Sequence, residues 1–575
     1  MTSEHALSTT DAYYNLGSFG RPISTRSDDA QTWFNRGLTW VYAFNHEESV
    51  RCFEQAIAHD PACGMAYWGL AFARGSNYNK PWEVFDEQDL RTTLEQTYRA
   101  SRQAKANAAD AAPVEQALID AIQCRYQKDD IDRDHAAARN QAYADAMTAV
   151  YRAFPDDLDV AALYADALMN LTPWKLWDLS TGQPSPGART LEAKTVLERA
   201  STQERADQHP GLLHMYIHLV EMSSAPELGL AAADRLRGLI PDAGHLQHMP
   251  SHLDILIGDY RRSIASNTEA VRADEKFLAR SGPYNFYTFY RLHDYHSLIY
   301  AAMFAGQSQV ALDTVARMEA SLPEDLLRVE SPPMADWLES FNSVRVHILV
   351  RFGRWRDILQ LELPPDRTLY CVTTAMVHYA RGIAWAATGH VKEAEQERGL
   401  FQSAAQQVPP TRQAYTNKCV DVLAVAAAML DGEIEYRRGH FDLAFSHLRR
   451  SIDLDDSLVY SEPWGWMQPA RHAYAALLLE QDHVEEAAAV YRADLGLDRT
   501  LPRARQHPNN VWALQGYHEC LRRLGRTTEA RAIEPQLKLA LAVADVSVRS
   551  SCFCRLDTST APDINPESCG AETCH

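Results

Sequence analysis

The sequence predicts an all-α fold, a solenoid of helical hairpins curled into a superhelix. Three observations carry this. Residues 30–63 place Trp33, Gly37, Trp40, Phe53, Ala56 and Pro61 at the large, small, large, large, small and stop positions of a 34-residue hairpin repeat. Weaker copies keep the same register further along the chain. Alternating runs of β-branched residues, the mark of half-buried strands, are absent.

Each position of the repeat has a physical reason. A small residue on each helix lets the two helices approach, and aromatic residues fill the space between hairpins. A Gly or Asp reverses the chain, and a proline ends the second helix. Each hairpin leaves an apolar face that only its neighbour covers. In the first repeat Ser49 replaces the usual alanine and Arg36 stands at a normally apolar site. Later copies are marked by Leu298, Gly306, Ala311 and Pro323, then by Gly382, Trp385, Gly389 and Ala394. Gly439, Phe441 and Ala444 mark another, Ala487 and Tyr491 the next, and Trp512, Gly516, Gly525 and Ala530 the last. This is the tetratricopeptide pattern, and it predicts a tetratricopeptide-like solenoid over 29–545, after an extension at 1–28 and before a cysteine-rich tail at 546–575. Pro- and Trp-rich insertions interrupt it at Asn77–Trp82, Leu171–Ala188, Leu326–Met334, Leu363–Asp366 and Tyr460–Pro469. Such loops are suited to closing over a concave surface and forming a pocket.

Bulk properties exclude several classes. At 575 residues with 56 Lys and Arg against 76 Asp and Glu, the net charge is −20. That lacks the basic footprint of nucleic-acid binding and disfavours anionic membrane surfaces. The first residues carry no basic start and no apolar run, so no secretory signal is read there. No stretch approaches the ~20 apolar residues of a membrane span; the longest candidate, Val422–Leu430, is alanine-rich and reads as a packed helix. The expected compartment is the cytoplasm. Of ten cysteines, Cys52, Cys63, Cys124, Cys371, Cys419 and Cys520 read as helix-packing residues. Cys552, Cys554, Cys569 and Cys574 crowd the tail; in a cytosolic chain they suggest metal or redox chemistry more than structural disulfides, or simply a loose tail.

The chemistry concentrates in residues 209–296, which hold eight of the 22 histidines. His214, His218 and Glu221 follow Pro210 at spacings of four and three, which stack on one helix face while Leu213, Ile217 and Val220 form the apolar side. His248 and His252 repeat the four-residue spacing, with His245 just before and Pro250 near a helix start. This places those three at a helix end, where repeat proteins expose functional groups. His293-Asp-Tyr-His296 follows in a tyrosine-rich stretch, and Tyr42-Ala-Phe-Asn-His46-Glu47 joins only if the superhelix curls closed. Imidazole is the commonest protein metal ligand. The expected metal set is His214, His218, His248, His252 and Glu221, with Glu221 a ligand or an orienter of ligands. Glu221, His245, His293, His296 and His46 are the expected catalytic groups, His245, His293 and His296 alternatively a second ligand set. All-nitrogen ligation beside a carboxylate suits copper or iron first and zinc second. Phosphate loops, dinucleotide fingerprints and nucleophile elbows are absent. Glu462, Trp464, Trp466 and Arg471 form a polar, aromatic loop fit to line a pocket.

At Tyr42-Ala-Phe-Asn-His46-Glu47, Met65-Ala-Tyr-Trp-Gly69, His214-Met-Tyr-Ile-His218 and His248-Met-Pro-Ser-His252 the chain resembles a group of long bacterial and fungal tetratricopeptide-repeat proteins, over nearly its whole length. The resemblance implies a fold and a shared histidine set rather than a reaction. One departure is His293-Asp-Tyr-His296, where that group carries Asn after the first histidine. Two functions follow as expectations. The first is a metal-dependent enzyme acting on a small molecule, oxidative chemistry preferred to hydrolysis. The second is a protein-interaction scaffold that binds a peptide in its groove, with structural histidines.

Overall fold

The computed structural model describes Leu7, residues 12–127 and residues 135–556. It is an α-helical solenoid. The first repeat forms helices Asp28–Tyr42 and His46–His59, capped by Ser27 and Asn45, whose side chains accept from Ala30 N and Glu48 N. Acidic residues fill both first turns, where the helix dipole favours them. Its two departures from the repeat pattern have local causes. Ser49 Oγ donates to Gly37 O at 2.7 Å, so its hydroxyl ties the two helices together without adding bulk. The Arg36 guanidinium lies 4.2 Å from the Tyr13 ring centroid and 4.5 Å from that of Trp33, covered by two aromatic faces.

The later repeats form the expected hairpins, among them Tyr287–Phe304 with Ser308–Ala320, Cys371–Ala387 with Val391–Ala405, and Cys419–Arg437 with Phe441–Ser457. Ala470–Glu480 with Val484–Asp494 and Val511–Arg523 with Thr527–Val543 continue the series. Gly389 and Gly439 turn two of these hairpins in the left-handed region, which glycine adopts without steric cost. Asp482 takes that conformation in the turn before Val484. Among the described residues, strand structure is confined to two antiparallel pairs inside inserted loops, Trp177–Asp178 with Gln183–Pro184 and Gln413–Ala414 with Asn417–Lys418. Two-residue strands are shorter than any pattern a sequence displays.

The superhelix closes on itself. His293 Nε2 donates to Glu462 O at 2.6 Å, and Tyr260 Oη donates to Pro508 O at 2.9 Å. Trp512 Nε1 donates to Met303 O at 2.7 Å, and Phe286 N donates to Glu47 Oε2 at 3.1 Å. These bonds join segments roughly 170–250 residues apart, so the inserted loops fill the concave side. Hydrophobic burial runs from Tyr14 to Val548 as one cluster, with a second around Tyr436–Cys554. Among the described residues no helix is long and apolar enough to cross a membrane.

The cysteine reading needs one correction. Cys52, Cys63, Cys371, Cys419 and Cys520 are free and buried and Cys124 is partly buried, as packing residues are. Cys552 and Cys554, however, form a disulfide with each other, and Cys554 is buried beside Tyr379, Glu433 and His472 rather than hanging loose. Cys569 and Cys574 lie outside the described residues.

Helix approach in the first repeats depends on missing side chains. A Cβ on Gly69 would sit 2.3 Å from the Phe53 ring, which is already pressed against Gly37 on its other side. Gly69→Ala is expected to destabilise by about 1–3 kcal/mol through overpacking. Gly399, helical and exposed with nothing within 4 Å, is the control: Gly399→Ala gains about 0.5–1 kcal/mol in helix propensity. Chemical denaturation of the two variants checks both signs.

Candidate metal centre

Four helices deliver the histidines to one cluster. Helix Pro210–Glu221 starts at Pro210, with His209 as its cap: the His209 Nδ1 accepts Leu212 N, and Nε2 lies 3.0 Å from Asp159 Oδ1. His209 is therefore structural. The helix is buried on all sides except at Tyr216, so it runs through the interior rather than along it. Gly244–His248 and Pro250–Ile257 are two short consecutive helices. They carry His245, His248 and His252 into the core, not to an exposed helix end as the sequence suggested. Helix Tyr287–Phe304 adds His293 and Asp294.

Six imidazoles pack together. Ring centroids are 4.8 Å apart for His214 and His218, 5.0 Å for His214 and His245, 4.7 Å for His248 and His252, and 4.5 Å for His248 and His293. None of the six is more than 7% exposed, and Glu221 and Asp294 are fully buried. Three sets bring candidate ligand atoms within 4.8 Å of one another: His214, His218 and His245; His218, Glu221 and His252; and His245, His248, His293 and Asp294.

The hydrogen bonds fix tautomers. His214 Nδ1 donates to Tyr42 O at 2.6 Å. His248 Nδ1 donates to Asn267 Oδ1 at 2.6 Å, an oxygen oriented by the Asn267 Nδ2 bond to Ser263 O. Glu221 accepts from His218 Nδ1 at 2.9 Å with one oxygen and from His252 Nδ1 with the other. A neutral imidazole that donates through Nδ1 offers a lone pair at Nε2. The Nε2 atoms of His214 and His218 have no partner at all, and neither nitrogen of His245 has one. The Nε2 atoms of His248 and His252 face each other at 2.7 Å. Two lone pairs at that distance repel unless a proton or a cation lies between them.

Burial opposes the proton. Desolvation holds the His218 pKa at about 3 and those of His252 and His293 at about 4. It drives His214, His245 and His248 well below the ordinary imidazole value, with neighbouring imidazoles adding to the effect. Burial therefore favours neutral imidazoles, the form that carries a free lone pair for a metal. Burial also raises Glu221 and pushes Asp294 and its neighbour Asp274 well above the usual carboxylate range.

Two expected site residues lie apart from this cluster. His46 is partly buried, its two ring nitrogens shielded and without hydrogen-bond partners, but the Phe44 ring stands between it and the cluster, 5.8 Å from His46 and 4.4 Å from His214. The His296 ring stacks on Tyr415, with Nδ1 2.6 Å from the Tyr415 hydroxyl and Nε2 2.9 Å from Met467 Sδ. Tyr42, Asn267, Asp274 and Tyr287 were not among the expected site residues. They act through single backbone or side-chain contacts and leave no local pattern.

A cavity of about 470 Å³ opens onto the cluster, reaching His218, His245, His252 and His293. Trp174, Phe289, Tyr290, Trp337 and Tyr415 wall it, and Glu83, Asp86, Asp336 and Glu462 add carboxyls, while no Lys or Arg among the described residues lines it. Of the polar loop expected at a pocket, Glu462 lines this cavity. Arg471 instead pairs with Asp456, and Trp464 Nε1 donates to Asp455 Oδ1 at 2.9 Å.

No family model and no curated protein matches the chain. Similar solved structures include Naa15/Naa10 bound to HypK-THB, 13% identical over 89% of this chain and 70% of that chain with a TM-score of 0.20. Yeast Tom70 is 12% identical over 90% of this chain and 93% of that chain, TM-score 0.29, and Ypp1 is 12% identical over 90% and 73%, TM-score 0.30. These superpositions are loose, and the fold class stands on the hairpins of the chain itself.

Glu221 accepts two buried N–H groups, so its truncation orphans both. In the metal-free protein Glu221→Ala is expected to cost roughly 2–4 kcal/mol, about 1–2 for each orphaned donor. Glu221→Gln keeps one acceptor and is expected to cost about half of that. Urea unfolding of the two variants checks the ordering.

Proposed function

We propose that this protein is a metal-dependent enzyme that acts on a small molecule held in the cavity above the histidine cluster. The observation that carries the reading is the opposed Nε2 pair of His248 and His252. His248 and His252 would both hold a transition-metal ion through these Nε2 lone pairs, and ligation would replace their repulsion. His218 lies beside His252, their ring centroids 5.5 Å apart, and His214 beside His218 at 4.8 Å, so both would be within reach of such an ion's surroundings. Glu221 holds His218 and His252 by their Nδ1 protons, the orienting role that carboxylates take behind metal-bound imidazoles. The donor set suits copper, iron or zinc, and a bound ion would supply Lewis acidity or, for copper and iron, electron transfer.

The chain's own residues define what reaches the ion. The aromatic walls favour an apolar or aromatic body, and a lining with carboxyls and no Lys or Arg disfavours an anion. Burial pushes Glu462 well above the carboxylate range, which favours its protonated form at the cavity wall. His293, anchored on Glu462 O, holds its ring at the cavity floor. The group of histidine-bearing repeat proteins suggested by the sequence motifs fits this reading.

The second reading is a protein-interaction scaffold. The hairpin architecture itself favours it, because repeat arrays present extended binding surfaces. The closure of the superhelix and the filling of its concave side favour the enzyme.

Elemental analysis by plasma mass spectrometry separates the two. The wild type, as purified or after loading with copper, iron or zinc, is expected to retain at least one ion per chain, and a His248→Ala/His252→Ala variant to hold one ion fewer while keeping its helical circular dichroism. A wild type that retains no ion after loading overturns the enzyme reading and leaves the scaffold.

A further inference from the structure

We infer that the cluster holds two cations side by side, with a second position formed by His245, His293 and Asp294. This inference rests on the metal reading above and adds a separate site to it.

The first argument is the donor count. Six imidazoles and two carboxyls converge, while one transition-metal ion takes roughly four to six ligands. The ligand sets His218, Glu221 and His252, and His245, His248, His293 and Asp294, share no residue; the first ion would draw His248 from the second set, which still leaves His245, His293 and Asp294 together. The second set has its own unmet demand. His293 Nε2 donates to Glu462 O, which leaves a lone pair on Nδ1 only 3.2 Å from Asp294 Oδ1. Both nitrogens of His245 and Asp294 Oδ2 are buried without a partner. The His293 lone pair and the Asp294 carboxyl therefore need a proton or a cation between them, as do the Nε2 atoms of His248 and His252.

The second argument is charge. Asp274 and Asp294 are adjacent and fully buried, and Asp274 Oδ1 accepts from the Tyr287 hydroxyl at 2.9 Å. A buried carboxylate pair requires a shared proton or a neighbouring cation. A cation between His245, His293 and Asp294 satisfies the carboxylate and the orphaned nitrogens at once. His248 stands between the two positions, with Nε2 toward His252 and Nδ1 3.7 Å from Asp294 Oδ1. Paired ions about 3.5–4 Å apart are a recurring arrangement in metalloenzymes.

The test is Co²⁺ titration of the metal-free full chain, with bound metal counted after gel filtration and followed by its visible absorption. Two Co²⁺ per wild-type chain are expected. One is expected in His293→Gln and in Asp294→Asn, and one, of different absorption, in His252→Gln. Saturation of the wild type at one Co²⁺ overturns the second position and leaves the first. Binding of none overturns the metal reading itself. Should a variant fail to fold, the wild-type count decides alone.

Discussion

The Glu221 carboxylate, taking the Nδ1 protons of His218 and His252, is the interaction on which the site depends. The two histidines belong to different helices, 34 residues apart. One buried carboxylate fixes the ring orientation and the tautomer of both, and directs both Nε2 lone pairs away from itself. Asn267 does the same for His248, and the Tyr42 carbonyl for His214. The result is a group of imidazoles that are neutral, rigid and short of hydrogen-bond donors. Burying such groups without partners costs about 1–3 kcal/mol each, so the fold holds an unfavourable arrangement that a bound cation relieves.

The scaffold makes this possible by closing. An open solenoid exposes its concave side to water, and water would satisfy every lone pair described above. Here the loops around Trp174, Pro333, Tyr415 and Glu462 meet over the concave side, and the first repeat reaches the centre through Tyr42. Glu221, Glu462, Asp274 and Asp294 all lie within this shielded volume. The same burial that depresses the imidazoles raises the carboxyls, so the site disfavours charge on groups of both kinds. Neutral imidazoles beside carboxyls that hold their protons more tightly than usual are the electrostatic character of the site.

The repeat register was legible because helix packing leaves a local pattern. Gly37, Gly69 and Phe53 interlock, and Gly389 and Gly439 turn the chain at their expected places. The four-residue spacings of His214 with His218 and of His248 with His252 also pointed to one cluster, and the rings do meet. What could not be read was long-range. His46 belongs to the marked motif, yet Phe44 two residues earlier occupies the space between it and the cluster. His296 has the right spacing from His293, but Tyr415, over a hundred residues away, takes its Nδ1. His245, His248 and His252 were read as sitting at an exposed helix end; the closure that buries them depends on loops far along the chain. Asp294 was visible beside His293, whereas its partner Asp274 lies on the preceding helix with no motif of its own.

The most direct measurement is a crystal structure of the metal-loaded protein with anomalous data on both sides of the metal absorption edge. The account predicts a peak between the Nε2 atoms of His248 and His252, about 2.0–2.1 Å from each, with Glu221 still bonded to the two Nδ1 atoms. A featureless map there, with the two imidazoles bridged by a proton or a water, would contradict it.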